Sequence, residues 1–154
     1  MPDSRIDHQS VAADPETSAF VTANAGSGKT TTLVNRVARL LLRGVAPETI
    51  LCVTYTKAAA AEMQSRLYRL LGKWAVLEDE ALAVELVKLQ GHAPEDLGKA
   101  RALFASALET PGGLKIQTIH AFCEALLRRF PMEAGVSPGF SVMDDVQSAA
   151  IAAT

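Results

Sequence analysis

Cysteine is scarce in this sequence, and its two cysteines form neither a metal-binding nor a redox pattern. Cys52 and Cys123 lie far apart, with no C-x-x-C pair and no histidine at ligand spacing. This spacing argues against a zinc site and against a catalytic dithiol. We therefore expect two reduced, buried thiols in a protein of the cytosol.

An excess of charge and a long apolar run are also missing. The 15 lysines and arginines against 17 acidic residues give a net charge of −2, which neither supports nor excludes binding to nucleic acid. No apolar run approaches the ~20 residues of a membrane span, and residues 1–10 lack the apolar core of a signal peptide. The length of 154 residues suits one soluble, cytoplasmic domain with its own core.

The clearest functional motif is a small-residue turn between an apolar run and a helical pattern. Such a turn lets backbone N–H groups surround a polyphosphate, and the helix N-terminus adds partial positive charge. Lys29 then reaches the β- and γ-phosphates, and the Thr30 hydroxyl binds Mg²⁺. A helix start without a ligand is the alternative. The motif consists of Ala23, Asn24, Ala25, Gly26, Ser27, Gly28, Lys29 and Thr30, followed by Thr31.

Short apolar runs alternate with helical patterns along the chain, which predicts an α/β fold with a parallel sheet. Strands are predicted at 20–22, 50–54, 115–118 and 139–143, the second as a buried strand. Helices are predicted at 29–43, 58–71 and 119–130, with Gly72 ending the second one. Residues 74–108 have helical spacing throughout and predict a helical insertion packed on the α/β body.

Polar residues follow two of the predicted strands, where parallel sheets collect ligands. Tyr55 offers a face for base stacking, and Thr54, Thr56 and Lys57 can donate to phosphates. On chemistry alone we favour the simpler alternative, an exposed tyrosine beside a capping threonine. Thr118 and His120 repeat the arrangement, as a helix cap and a phosphate donor, although a lone histidine is more often structural.

In ATPases with a phosphate turn of this kind, a carboxylate pair at the end of a later apolar strand completes the Mg²⁺ site. This sequence has no clear counterpart of that pair. Asp144 and Asp145 follow only a short run, and we interpret them as a turn. The alanine-rich residues 149–154 carry no helix-stop signal. We therefore expect this sequence to be the N-terminal piece of a longer protein.

Together these segments resemble the N-terminal motor domain of superfamily-one DNA helicases of the UvrD/RecB kind. The loop that ends in GSGKT resembles motif I, which also begins with alanine, and Gln9 matches the Q-motif glutamine. Residues 54–63 resemble motif Ia, and residues 118–122 resemble the T-x-H-x-F motif. Residues 115–131, with the Tyr-Thr-Lys of residues 55–57, most resemble the AddA family of helicase–nucleases.

The resemblance implies roles for particular residues. Gln9 would contact the adenine of ATP, Lys29 and Thr30 would act on its phosphates and Mg²⁺, and Arg36 would lie just behind the site. Tyr55 replaces the family's usual phenylalanine as an aromatic face for single-stranded DNA. Lys57 replaces an asparagine, and the family's lysine at the next position is an alanine here, so the cationic group is displaced by one residue.

The resemblance also implies a RecA-like P-loop fold and an architecture. Residues 1–154 would form an incomplete ATP-binding domain 1A, with 74–108 as a 1B-like insertion. The parent would be an ATP-dependent helicase/nuclease of double-strand-break repair, and its partners would be DNA and an AddB-like protein. One alternative is a UvrD/Rep-type helicase without a nuclease, and another is a non-catalytic ATP- or DNA-binding module. A small P-loop kinase explains neither Gln9 nor residues 118–122.

Overall fold

The described part of the protein consists of one parallel strand pair and six α-helices. The structure, a computed structural model, describes residues 8–22, 28–93 and 96–143. The helices are α1 (His8–Ala12), α2 (Lys29–Leu42), α3 (Lys57–Val76), α4 (Asp79–Gln90), α5 (Leu97–Glu109) and α6 (Ile119–Arg129). The strands are β1 (Leu51–Thr54) and β2 (Lys115–Thr118), and a short 3₁₀ turn spans Pro47–Thr49.

The two strands pair in parallel, in a register that runs from Leu51 opposite Lys115 to Thr54 opposite Thr118. A parallel pair needs a long crossover, and α3, α4 and α5 provide it. Each strand leads directly into a helix, so both strand-to-helix turns lie at the same edge of the pair. The predicted α/β class with a parallel sheet and intervening helices is confirmed at this level.

Two predicted strands are not formed. Residues 20–22 and 139–143 lie outside any strand, and Phe20 is 93% exposed. A strand needs a hydrogen-bonded neighbour, and β1 and β2 pair only with each other among the described residues. An apolar run can be buried, but it does not by itself provide a neighbouring strand for hydrogen bonding. The apolar pattern of the sequence therefore predicted too many strands.

The prediction of a fully buried strand at 50–54 is also wrong for one face of β1. Leu51 and Val53 are 42% and 41% exposed, whereas Cys52 on the opposite face of the strand packs against the hydrophobic core. On the covered face, burial raises the pKa of the Cys52 thiol through desolvation. Cys123 is exposed rather than buried, because α6 has no buried residue.

Helix α3 continues five residues past the predicted stop at Leu71 and ends at Val76. Gly72 lies in its interior, where a Cβ atom would meet a ring carbon of Phe104 at 3.4 Å. An interior glycine costs a helix about 1 kcal/mol. Here the close approach of α5 and the burial of Trp74, which is 1% exposed, outweigh that cost.

The core lies between α2, α3, α4 and α5 rather than on the sheet alone. Its largest fully buried side chains are Trp74, Leu41, Leu67, Leu71, Leu82 and Leu86. Tyr68 and Phe104 join α3 to α5 edge to face, with ring centroids 6.4 Å apart. The predicted helical content of 74–108 is therefore confirmed, and its helices share one core with α2 and α3. None of the described helices is both long and apolar enough to cross a membrane.

Replacing Leu67 by alanine tests this core. Leu67 is 0% exposed, so the substitution removes buried methyl groups and leaves a cavity, and we expect the free energy of unfolding to fall by about 2–5 kcal/mol. Urea denaturation followed by circular dichroism measures the change. Leu108→Ala is the matched control, because Leu108 is 57% exposed on α5 and should shift stability by at most about 0.5 kcal/mol. Equal effects of the two variants would contradict this description of the core.

Candidate functional site

The start of α2 has the geometry of an anion-binding helix terminus. Gly28 precedes the helix in the left-handed conformation, with φ of 86°, and as a glycine it places no side chain over the first N–H groups. Thr32 bonds back to the Gly28 carbonyl through both its backbone N–H (2.9 Å) and its hydroxyl (3.2 Å). Lys29 is exposed and Thr30 is half-buried in this first turn, which contains no acidic residue. The positive end of the helix dipole therefore lies at this turn.

Gln9 lies directly against this turn. A Cβ atom built on Gly28 would be 3.0 Å from the Gln9 side-chain nitrogen, so only glycine fits here without displacing the amide. The sequence predicts Gln9 and Gly28 for one nucleotide site on separate grounds, and the structure brings them together. The remaining predicted loop residues lie outside the described part of the chain: Ala23, Asn24, Ala25, Gly26 and Ser27.

A cleft of about 500 Å³ adjoins this turn between α2 and the segment before it. Lys29, Thr32 and Arg36 contribute its polar wall, and Leu33 adds apolar surface. The facing wall comes from the segment before α2, residues 8–22, which we call the lead-in chain. Its lining residues are Ala12, Ser18, Ala19 and Val21. The cleft is large enough for part of a small organic ligand, since ligand pockets begin at about 300 Å³.

Arg36 lines this cleft and also braces the lead-in chain. Its guanidinium donates to the carbonyl oxygens of Ala12 (3.2 Å), Asp14 (2.5 Å) and Thr17 (2.6 Å). The predicted position just behind the phosphate turn agrees with this location. A direct contact of Arg36 with a nucleotide stays a prediction.

Arg39 of α2 and Arg43, the residue that follows this helix, hold the same segment, and neither was predicted from the sequence. Arg39 is buried and donates to the backbone and side-chain oxygens of Ser10, both at 2.9 Å. Arg43 pairs with Glu16 and lies 3.9 Å from Asp14. A signal was available, because arginines at positions i, i+3 and i+7 share one helix face.

Arg66 was not predicted either, and it lies near the first turn of α2. Its guanidinium reaches the Thr31 hydroxyl at 3.5 Å and pairs with Glu62, its neighbour on α3, at 2.6 Å. No pattern in the sequence connects Arg66 with Thr31, because the contact depends on how α3 packs against α2. A second cation is thus available beside the predicted phosphate end.

The two strand-to-helix turns form a second group. The Thr56 hydroxyl caps α3 by accepting the Ala59 N–H at 3.1 Å, and the Thr118 hydroxyl caps α6 in the same way. Both capping interpretations are confirmed. Thr54 donates to the Thr56 carbonyl at 3.0 Å and stands opposite Thr118 in the strand register, so the two turns are neighbours.

Exposed side chains project beside these caps. Tyr55 is 90% exposed and extends the first turn, Lys57 is exposed at the start of α3, and His120 is exposed at the start of α6. An aromatic face and two potential cations are thus available to solvent on adjoining turns. Their predicted contacts with DNA stay predictions.

The described residues contain no group of three or more histidine, cysteine, aspartate or glutamate side chains suited to a metal ion. Asp144 and Asp145, interpreted from the sequence as a turn, lie outside those residues. The predicted Mg²⁺ site therefore rests on the Thr30 hydroxyl together with phosphate oxygens of a ligand.

Comparison with known families identifies the class of this domain. Residues 4–154 match the UvrD/REP helicase N-terminal domain, and the chain belongs to this family.

Within this family, the chain is similar to curated proteins that share one name. The chain is similar to an ATP-dependent helicase/nuclease subunit of Lactobacillus acidophilus, with 34% identity over 98% of this chain and 11% of the relative. The proteins of the same name from Pediococcus pentosaceus and Desulforudis audaxviator are 33% and 37% identical, over 84% and 87% of this chain and 9% and 10% of theirs. The chain thus spans about a tenth of these relatives, and the resemblance expected from the sequence is confirmed.

Replacing Gly28 by alanine tests the contact with Gln9. The new Cβ strains the left-handed backbone by about 1–2 kcal/mol and displaces the Gln9 amide. We expect lower stability in urea denaturation and a shift of the Gln9 side-chain amide signals in nuclear magnetic resonance spectra. Gly91→Ala is the matched control, because Gly91 has φ of 81° with nothing within 4 Å of its Cβ position. Both variants lose stability, and unchanged Gln9 signals in Gly28→Ala would refute the contact.

Proposed function

We propose that this chain is the nucleotide-binding N-terminal part of an ATP-dependent DNA helicase of the AddA-like helicase/nuclease type. The observation that carries the proposal is the Gln9 amide held against Gly28 at the start of α2. A glutamine amide has a donor and an acceptor side by side, which matches the N6/N7 edge of adenine. A base-recognising group thus adjoins a phosphate-binding helix start.

The residues present fit ATP and Mg²⁺. Gly28 leaves a cradle that a Cβ would fill, and the first turn of α2 carries the positive end of the helix dipole with no acidic side chain to repel phosphate. In this proposal Lys29 binds the β- and γ-phosphates, Thr30 ligates Mg²⁺, and Gln9 binds adenine. A RecA-like fold is part of the proposal, and the parallel β1–β2 pair supports it. Residues 23–27, which the sequence predicts as the rest of the phosphate turn, lie outside the described residues.

Single-stranded DNA would cross the two strand-to-helix turns. Tyr55 would stack on a base, while Lys57 and His120 would approach phosphates. The capping role of Thr118 does not compete with this function, because a hydroxyl that accepts a capping bond still has its own proton to donate. The same applies to Thr56.

The parent protein would couple ATP hydrolysis to movement along single-stranded DNA in double-strand-break repair and recombination. An AddB-like protein would be its partner, and a cytoplasmic location stays the expectation from the sequence. The names of the relatives favour a helicase/nuclease over a UvrD/Rep-type helicase without nuclease. The 154-residue chain alone would bind nucleotide weakly and would not sustain turnover.

Lys29→Ala tests the nucleotide site. Removing the ammonium group should weaken binding of ATP·Mg²⁺ to the chain by about tenfold or more, because a charge-assisted contact contributes about 1.5–3 kcal/mol. Isothermal titration calorimetry measures the affinity, and urea denaturation should show unchanged stability. Lys88→Ala removes an exposed lysine of α4 and serves as the control. Equal affinities in wild type and Lys29→Ala would overturn the assignment.

Tyr55→Ala tests the DNA surface. Loss of one stacked base costs about 1–3 kcal/mol, so we expect affinity for a fluorescent oligo-dT to fall about fivefold to a hundredfold at low salt. Fluorescence anisotropy measures binding. Tyr55→Phe should retain it, and Val76→Ala, which changes an 81% exposed side chain at the other end of α3, should have no effect. Weak binding by Tyr55→Phe as well would exclude stacking as the cause.

A further inference from the structure

The position of Gln9 depends on contacts from outside its own helix. In the described part of the chain, helix α1 spans His8–Ala12 and has no buried side chain. Its orientation therefore depends on polar contacts with the rest of the fold rather than on burial of its own side chains. Within α1, the Gln9 carbonyl accepts the Ala13 N–H at 2.9 Å, which orders the backbone turn but does not orient it toward α2.

The arginine face of α2, formed by Arg36, Arg39 and Arg43, supplies those contacts. Arg39 binds both oxygens of Ser10, the residue that follows Gln9. Arg36 binds the Ala12 carbonyl at the end of α1, and two carbonyls beyond it. Carbonyls at a helix C-terminus lack partners within the helix and carry partial negative charge, so guanidinium groups match them in both hydrogen bonding and charge.

Arg39 differs from its neighbours because it is buried, with only 9% of its surface exposed. A buried cation is unfavourable unless it is hydrogen-bonded. The pair of bonds to Ser10 suits the forked geometry of a guanidinium, which a lysine cannot reproduce. Arg43, by contrast, is 43% exposed and makes ion pairs with the lead-in chain that solvent can screen.

Helix α2 therefore determines how far the Gln9 amide lies from the phosphate-binding turn. The first turn of α2 adjoins Gly28, and its arginine face holds the segment that carries Gln9. The separation between a base-recognising amide and a phosphate-binding end is consequently built into α2. A small displacement of α1 would move the amide while leaving the first turn of α2 unchanged.

We propose that Arg39, assisted by Arg36, is a positioning residue for Gln9 and thereby sets the base selectivity of the nucleotide site. This inference rests on the proposed function, since it requires that the start of α2 binds a nucleoside triphosphate. Arg39 touches neither base nor phosphate, and it acts through Ser10 on the orientation of the neighbouring amide. Ser10 links Arg39 to Gln9, because it accepts the hydrogen bonds of Arg39 and is the next residue in the chain.

The experiment compares the affinities of the 154-residue chain for ATP, GTP and inorganic tripolyphosphate by isothermal titration calorimetry. We expect Arg39→Met to lower the ATP-to-GTP affinity ratio by about fivefold to tenfold, the value of one well-placed hydrogen bond. Tripolyphosphate affinity should stay within about twofold, since no base is involved. Arg43→Ala, which removes an exposed arginine of the same face, should keep the wild-type ratio.

Two further variants separate positioning from a general loss of structure. Ser10→Ala removes one of the two hydrogen bonds of Arg39 and leaves no large cavity. It should lower the ATP-to-GTP affinity ratio by a smaller factor than Arg39→Met does. Gln9→Ala should lower the ratio in the wild type but have no further effect in Arg39→Met, because both changes remove the same contact. Arg39→Lys should resemble Arg39→Met rather than the wild type.

Each result has a definite meaning. A wild-type ratio in both Arg39→Met and Ser10→Ala would overturn the inference and leave the proposed function standing. A parallel loss of ATP, GTP and tripolyphosphate affinity in Arg39→Met would overturn it too, because that pattern reports a structural role. A wild type that binds none of the three probes would overturn the proposed function and, with it, this inference.

Discussion

The packing of α3 against α5 is the constraint on which the rest of the structure depends. These helices belong to the crossover between β1 and β2, so the parallel pair exists only if the crossover folds back compactly. The glycine at position 72 permits the close approach of Phe104, and Leu67, Leu71 and Trp74 close the interface. The neighbouring turns that carry Tyr55 and His120 are therefore a consequence of helix packing some distance away.

Helix α2 joins this core to the candidate nucleotide site. Its apolar face, with Val34, Val37 and Leu41, is buried against α3 and α5, and its arginine face holds the lead-in chain. The first turn of the same helix begins after Gly28, which contributes no side chain, and contains no acidic residue. Packing energy thus fixes α2 in place, while its polar groups at the surface and N-terminus remain available to position Gln9 and to attract an anion.

Sequence patterns predicted the local features well. The bounds of α2 and α6, the capping of α6 by Thr118 and the parallel β1–β2 arrangement follow from helical spacing, cap chemistry and strand–helix alternation. The strands at 20–22 and 139–143, the stop at Gly72 and the burial of Cys123 were wrong. Each of those errors concerns a partner distant in sequence, which a short window of residues does not contain.

By itself, the sequence determined most of the helical segments, although not α1, and also where two helices are capped and which small residues stand at the predicted phosphate turn. These features depend on interactions within one turn of the chain, so residue type and spacing are sufficient. Only the tertiary structure decided that Gln9 touches Gly28, that Arg39 holds Ser10, and that one face of β1 is exposed. Those contacts join residues far apart in sequence, and their geometry is set by the packing of whole helices.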